Sequence, residues 1–195
     1  NIPVGTPFPV GRVSAKLKDV PAPARYKLVV RVGSSHDKAP NGRADATGFE
    51  NDWDVWVYPA ALTPAAPGGV KISHELDAAA LEALQQGENG LLLLPPERVK
   101  ADPQRGKIAL GFSSIFWNTA WTGGQAPHTL GVLCDPKHPL FAEFPTDFHS
   151  NWQWGYLVSR AGAMILDGLP ATLRPTVQVI DDWFSARKLG LLFEA

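Results

Sequence analysis

The chain is poor in the residues that most easily betray chemistry. It has one cysteine, Cys134, and one methionine among 195 residues. A single cysteine excludes an internal disulfide and leaves the redox compartment open. Basic and acidic residues number 18 and 19, for a net charge of -1, and no basic cluster stands out. That balance excludes the electrostatic footprint of nucleic-acid binding or of an anionic membrane surface. The longest apolar runs, residues 91–94 and 189–193, are strand-sized and far below a membrane span. The five histidines, at 36, 74, 128, 138 and 149, lack the short paired spacings of metal sites. The glycine pairs at 68–69 and 123–124 sit in no strand-loop-helix context, so neither a metal nor a nucleotide cofactor is expected.

What the chain does have is organisation. Tyr26, Leu28, Val30 and Val32 alternate with polar residues, as do Trp53, Val55 and Val57, which predicts β-strands in residues 1–60. The polar stretch 34–48 reads as an exposed, disordered loop. Small residues, Pro and Gly at 61–69 read as a linker. Beyond it the grammar changes: Asp77 can cap a helix over 78–86 with Leu81 and Leu84 on one face, Gly87 can end it, and 90–95 is a short apolar strand. Further strands are expected at 129–134, 163–166, 176–180 and 188–193, with a short helix from Pro139. Several of these are too apolar for a sheet with a wet face. The expected fold class is therefore mixed α/β: β-sandwich-type strands in 1–60, then an α/β domain over 70–195 with a mostly parallel sheet covered by helices. The closing run Leu-Gly-Leu-Leu-Phe reads as a strand cut before its turn, and the chain as a piece of something longer.

The densest chemistry lies in residues 112–154, which hold four of the seven tryptophans. Trp117, Trp121, Trp152 and Trp154 neighbour Asn118, Gln125, His149, Asn151 and Gln153. On an extended segment Trp152 and Trp154 share one face, and Asn151 and Gln153 the other. Such a surface either docks against another domain or stacks a sugar, with Trp121, Trp152 and Trp154 as platforms and Asn118, His149 and Gln153 as hydrogen-bonding partners. Docking is the favoured of the two. Cys134 has His138 four residues on, but Asp135 and Pro136 supply no nucleophile elbow, and a buried inert thiol is the better reading. The carboxylate pairs Asp52/Asp54, Glu143/Asp147 and Asp181/Asp182 could serve glycoside hydrolysis. Asp181 is the most interesting, since it follows a strand directly, although capping of the next turn explains it equally well.

Several of these segments together carry a resemblance. Residues 51–59 (Asn-Asp-Trp-Asp-Val-Trp-Val-Tyr-Pro), 111–118 (Gly-Phe-Ser-Ser-Ile-Phe-Trp-Asn), 129–139, 144–154, 174–183 and 189–194 resemble, in this order, the C-terminal region of bacterial glycoside hydrolase family 2 proteins of the β-galactosidase-like type. The resemblance implies a multidomain, periplasmic or secreted parent whose catalytic glutamates lie in a barrel absent from this sequence, so no catalytic residue is transferred. It implies an α/β domain similar to the class I glutamine amidotransferase-like fold, from which Cys134 departs by lacking a glycine-flanked elbow. The expected role is a non-catalytic accessory portion serving domain packing or oligomerisation, with other domains of the parent, oligosaccharide or a second copy as partners. A carbohydrate-binding module and a small stand-alone hydrolase using Asp181 or Cys134 are the alternatives.

Overall fold

The structure, a computed structural model, describes residues 4–5, 7–9, 11–33, 48–61, 68–103, 106–112, 129–182 and 185–194. The chain divides into two compact units, Asn1–Ala60 and Ala61–Ala195. The first is built on an antiparallel hairpin of β1 (Ala24–Val32) and β2 (Phe49–Val57), with Val32 opposite Phe49 and Ala24 opposite Val57. Alternation sorts its side chains. Lys27 pairs with Asp52 at 3.0 Å and Arg31 with Glu50 on one face, while Leu28, Val30, Trp53 and Val55 occupy the other. Asp52 and Asp54 are thus held in cross-strand ion pairs, Asp54 lying 3.9 Å from Arg25.

The second unit opens with a βαβ element: β3 (Val70–Ser73), α1 (Ala78–Gln85) and β4 (Asn89–Leu92), with β3 and β4 parallel. Asp77 caps α1 by accepting from the Ala80 N–H at 2.8 Å, and Gly87 leaves it with φ 81°. Ala80 and Ala83 are the buried residues of α1. The strand β3 carries no clear signal in the sequence; pairing with β4 creates it.

The remaining strands are β5 (Gly131–Cys134), β6 (Met164–Ile165), β7 (Pro175–Ile180) and β8 (Leu189–Phe193), in the order β5-β7-β8-β6. Every pairing in this sheet is antiparallel, which corrects the expected mostly parallel sheet. Apolar runs report that a strand is buried, not which way its neighbours run. The connection between β7 and β8 is shorter than the dozen or so residues a parallel crossover needs, so only a hairpin can join them. The expected helix at Pro139 is a 3₁₀ turn, Pro139–Phe141, and the only other α-helical piece among the described residues is the single turn α2 (Gly155–Val158).

The core gathers Val132, Val177, Val179 and Leu189 from the sheet with Phe141, Trp154, Val158, Ile108 and Ala163 from the segments over it. Residues 148–150 run antiparallel to β5 at its outer edge: Cys134 N–H donates to the Phe148 carbonyl at 2.9 Å and Ser150 N–H to that of Val132 at 3.0 Å. Where this edge meets β5 the Ser150 hydroxyl also accepts from the Val132 N–H. Gly131, at φ 122°, has no room for a Cβ beside that hydroxyl. We expect Gly131→Ala to cost about 2 kcal/mol in a denaturant titration, whereas Gly68→Ala, which meets nothing within 4 Å, should leave the midpoint nearly unchanged.

Candidate functional site

The tryptophan segment does not run extended. Residues Trp152–Trp154 form a 3₁₀ turn capped by the Asn151 side chain, which accepts from the Trp152 N–H. With three residues per turn, positions two apart point in different directions, so Trp152 and Trp154 separate. Trp154 is 3% exposed and Trp152 84%. The expected shared platform therefore does not exist. Trp154 is a core residue: its ring meets Phe144 edge-on at 5.0 Å and Phe141 at 5.9 Å, and its indole N–H donates to Thr146 Oγ1 at 2.8 Å. Gln153 is tied to the same hydroxyl through Nε2 at 3.2 Å, and its Oε1 is buried without a hydrogen-bond partner among the described residues. His149 is half-buried, its Nδ1 3.1 Å from the Ser150 carbonyl oxygen and its ring edge-on to Phe148. Trp121 and Asn118, with Trp117 and Gln125, lie outside the described residues. Of the proposed stackers within them only Trp152 is open. The sequence reasoning missed its companion Tyr156, 70% exposed, four residues on in the helical segment and carrying the Arg160 guanidinium 3.9 Å from its ring centre.

Asp181 is spent on structure. Its carboxylate receives Arg187 Nε at 2.8 Å, Nη2 at 3.0 Å and the Arg187 backbone N–H at 2.9 Å, while Arg187 Nη1 donates to Asp102 at 2.8 Å. The Asp181 side chain is 3% exposed. Two carboxylates around it push the Arg187 guanidinium still further toward its charged form, against the opposing effect of burial. The neighbouring Asp182 does the capping, accepting from the Ser185 N–H at 2.9 Å and its hydroxyl at 2.8 Å.

Cys134 ends β5 half-buried, its thiol 3.4 Å from the Asp147 carbonyl oxygen, to which it donates. Burial pushes that thiol up from its ordinary value, so less thiolate is present near neutrality. His138 does not activate it: Nδ1 accepts from the Leu140 N–H, and Nε2 faces Glu194 at 3.6 Å. Among the described residues no group of three or more His, Cys, Asp or Glu could hold a metal ion.

Among the described residues the second unit carries several concavities, two of them roomy. A groove of about 520 Å³ is lined almost wholly by apolar side chains, among them Leu93, Leu94, Leu140, Phe144, Leu157 and Phe193. An open depression of about 530 Å³ lies at the ends of β5 and β7. The fold is thus that of a two-unit, mixed α/β chain with a small antiparallel sheet. Residues 71–195 match the domain of unknown function DUF8487 and residues 1–59 the domain of unknown function DUF8488. The chain belongs to the DUF8487 family, whose match covers well over half of it. No curated protein matches the chain.

Two outcomes follow from the geometry. Arg187→Met strands the buried Asp181 carboxylate and should cost about 3 kcal/mol by chemical denaturation; a change below about 0.5 kcal/mol would mean the cluster is solvated. Cys134 in the folded chain should react with a thiol-directed disulfide reagent at pH 7 at least tenfold more slowly than in the urea-unfolded chain.

Proposed function

We propose that the chain is a non-catalytic packing module of a larger bacterial, β-galactosidase-like glycoside hydrolase, exported to the periplasm or beyond, and that its work is to hold domains or copies of that enzyme together. The observation that carries this reading is the amount of ordered apolar surface left open. Leu76, Leu81, Leu84, Leu91, Leu92, Leu93 and Leu94 are all exposed, though they sit on or beside a regular βαβ element. The groove continues the same character through Leu93 and Leu94 to Leu140 and Leu157. In the first unit the apolar face of the hairpin leaves Leu28, Val32, Phe49 and Trp53 exposed. Monomeric domains rarely keep large apolar patches open unless another surface covers them. A two-stranded hairpin is also marginal in water without something packed on its apolar face.

The engaged state of the nominated catalytic groups supports the same reading. Asp181 is locked to Arg187, Asp52 and Asp54 to Lys27 and Arg25, and the Cys134 thiol to a backbone carbonyl. Each would have to give up its partner before it could act on a substrate. The β3-α1-β4 element, with its parallel strands joined through a helix, is the portion that supports kinship with an amidotransferase-like layer.

Light scattering after size exclusion, paired with an apolar fluorescent dye, tests the reading. The chain should self-associate or bind dye strongly, and Leu93→Asp with Leu157→Asp should lower the dye signal several-fold without loss of secondary structure. A dye-silent monomer would overturn it.

A further inference from the structure

The depression at the ends of β5 and β7 gathers several polar side chains that have no partner among the described residues. Elsewhere in the second unit Asp181 and Asp102 are engaged by Arg187, Asp182 by Ser185, and Thr146 by Trp154 and Gln153. The depression is lined by Leu133, Cys134, Asp135, His138, Phe148, Arg174, Pro175, Thr176 and Gln178. Among the described residues no hydrogen bond or ion pair engages the side chains of Arg174, Thr176 or Gln178. Asp135 uses Oδ1 to accept from the Lys137 N–H at 3.0 Å and keeps Oδ2.

Strand geometry brings these groups together. Val177 and Val179 point into the core, so Thr176 and Gln178 stand on the opposite face of β7, and Gln178 lies directly across from Leu133 on β5. The β7–β8 register shifts between Pro175 and Gln178, beside this face; such bulges re-aim side chains and are common next to binding sites. Phe148, 63% exposed, borders the depression from the edge segment that pairs with β5.

We propose that this depression is a saccharide-binding site in which Phe148 stacks against the apolar C–H face of a neutral sugar ring, while Asp135, Arg174, Thr176 and Gln178 share its hydroxyls. The ligand class follows from the mixture of groups. A simple anion would meet Asp135 and a simple cation Arg174, whereas a hydroxyl donates to the carboxylate and accepts from the guanidinium. Its volume falls within the roughly 300–1,000 Å³ of small-molecule sites. The site lies apart from Trp152 and from the apolar groove, so it neither needs nor contradicts a packing role.

Nuclear magnetic resonance titration of the isotopically labelled chain with galactose, glucose and galacturonate tests the assignment. Saturable millimolar shifts with galactose or glucose at Phe148 and at the Gln178 side-chain amide are expected. Phe148→Ala and Gln178→Ala, both surface changes verified by unchanged spectra elsewhere, should each weaken binding at least tenfold, and Trp152→Ala should not. Absence of saturable binding, response to galacturonate alone, or neutral-sugar binding that survives both depression variants would overturn the site. Failure here leaves the dye and light-scattering result standing, so the two readings fall independently.

Discussion

The second unit depends on how its central hairpin is closed. β7 and β8 are joined through residues 181–188, and Arg187 near the end of that connection turns back onto Asp181. Ala186 adopts φ 48°, a left-handed conformation that costs a non-glycine residue about 1 kcal/mol. Its N–H bonds the Asp182 carbonyl at 2.8 Å, and the next residue is anchored by two carboxylates. The strain is offset because a largely buried guanidinium finds nearly ideal bidentate geometry on Asp181. Asp102, some eighty residues earlier, is pulled onto the same cation, so this single side chain ties the strand hairpin to the segment that leads toward β5. Removing the positive charge would leave two carboxylates with little water around them.

From that hairpin the division of the sheet into two unlike faces follows. One face takes Val177, Val179 and Leu189 and is covered by Trp154, Phe141 and Val158. The cover is incomplete among the described residues, and the groove through Leu140, Leu157 and Phe193 is the portion they leave open. Thr146 explains why the cover holds its shape nonetheless. Its hydroxyl serves both the Trp154 indole and the Gln153 amide, and in turn donates to the Asp147 carbonyl at 3.1 Å. The indole is thereby pinned at its polar tip while Phe141 and Phe144 grip its ring.

Local signals were legible in the sequence and pairings were not. Asp77 and Gly87 mark α1 because capping is decided by neighbours within four residues. The alternation through Tyr26 to Val32 and Trp53 to Val57 marks β1 and β2 for the same reason. Strand direction in the second sheet is a long-range property, and apolar runs such as Leu189 to Phe193 carry no trace of it; only the short β7–β8 connection did. The tryptophan face failed on a local point: Asn151 is a good cap, and a capped turn places Trp152 and Trp154 apart, where an extended strand would have aligned them. Asp181 was legible as a loop carboxylate, yet Asp102, which shares its Arg187 partner, is too distant in sequence to be read from spacing.

The candidate site was hidden for a related reason. Arg174, Thr176 and Gln178 look like the ordinary wet side of a strand, and Phe148 like one more member of an aromatic run. Only the antiparallel pairing of β5 with β7, and of the 148–150 segment with the far edge of β5, carries Phe148 to the same rim as Gln178. The pairing that corrects the expected parallel sheet is therefore also what assembles the depression. In a parallel arrangement the ends of β5 and β7 that meet here would lie at opposite ends of the strand pair, and Cys134 with Asp135 would be separated from Arg174 by the length of a strand. Antiparallel order thus does two jobs with one set of bonds: it buries the valine face that other segments must cover, and it gathers on the reverse face polar groups that the described residues leave unused.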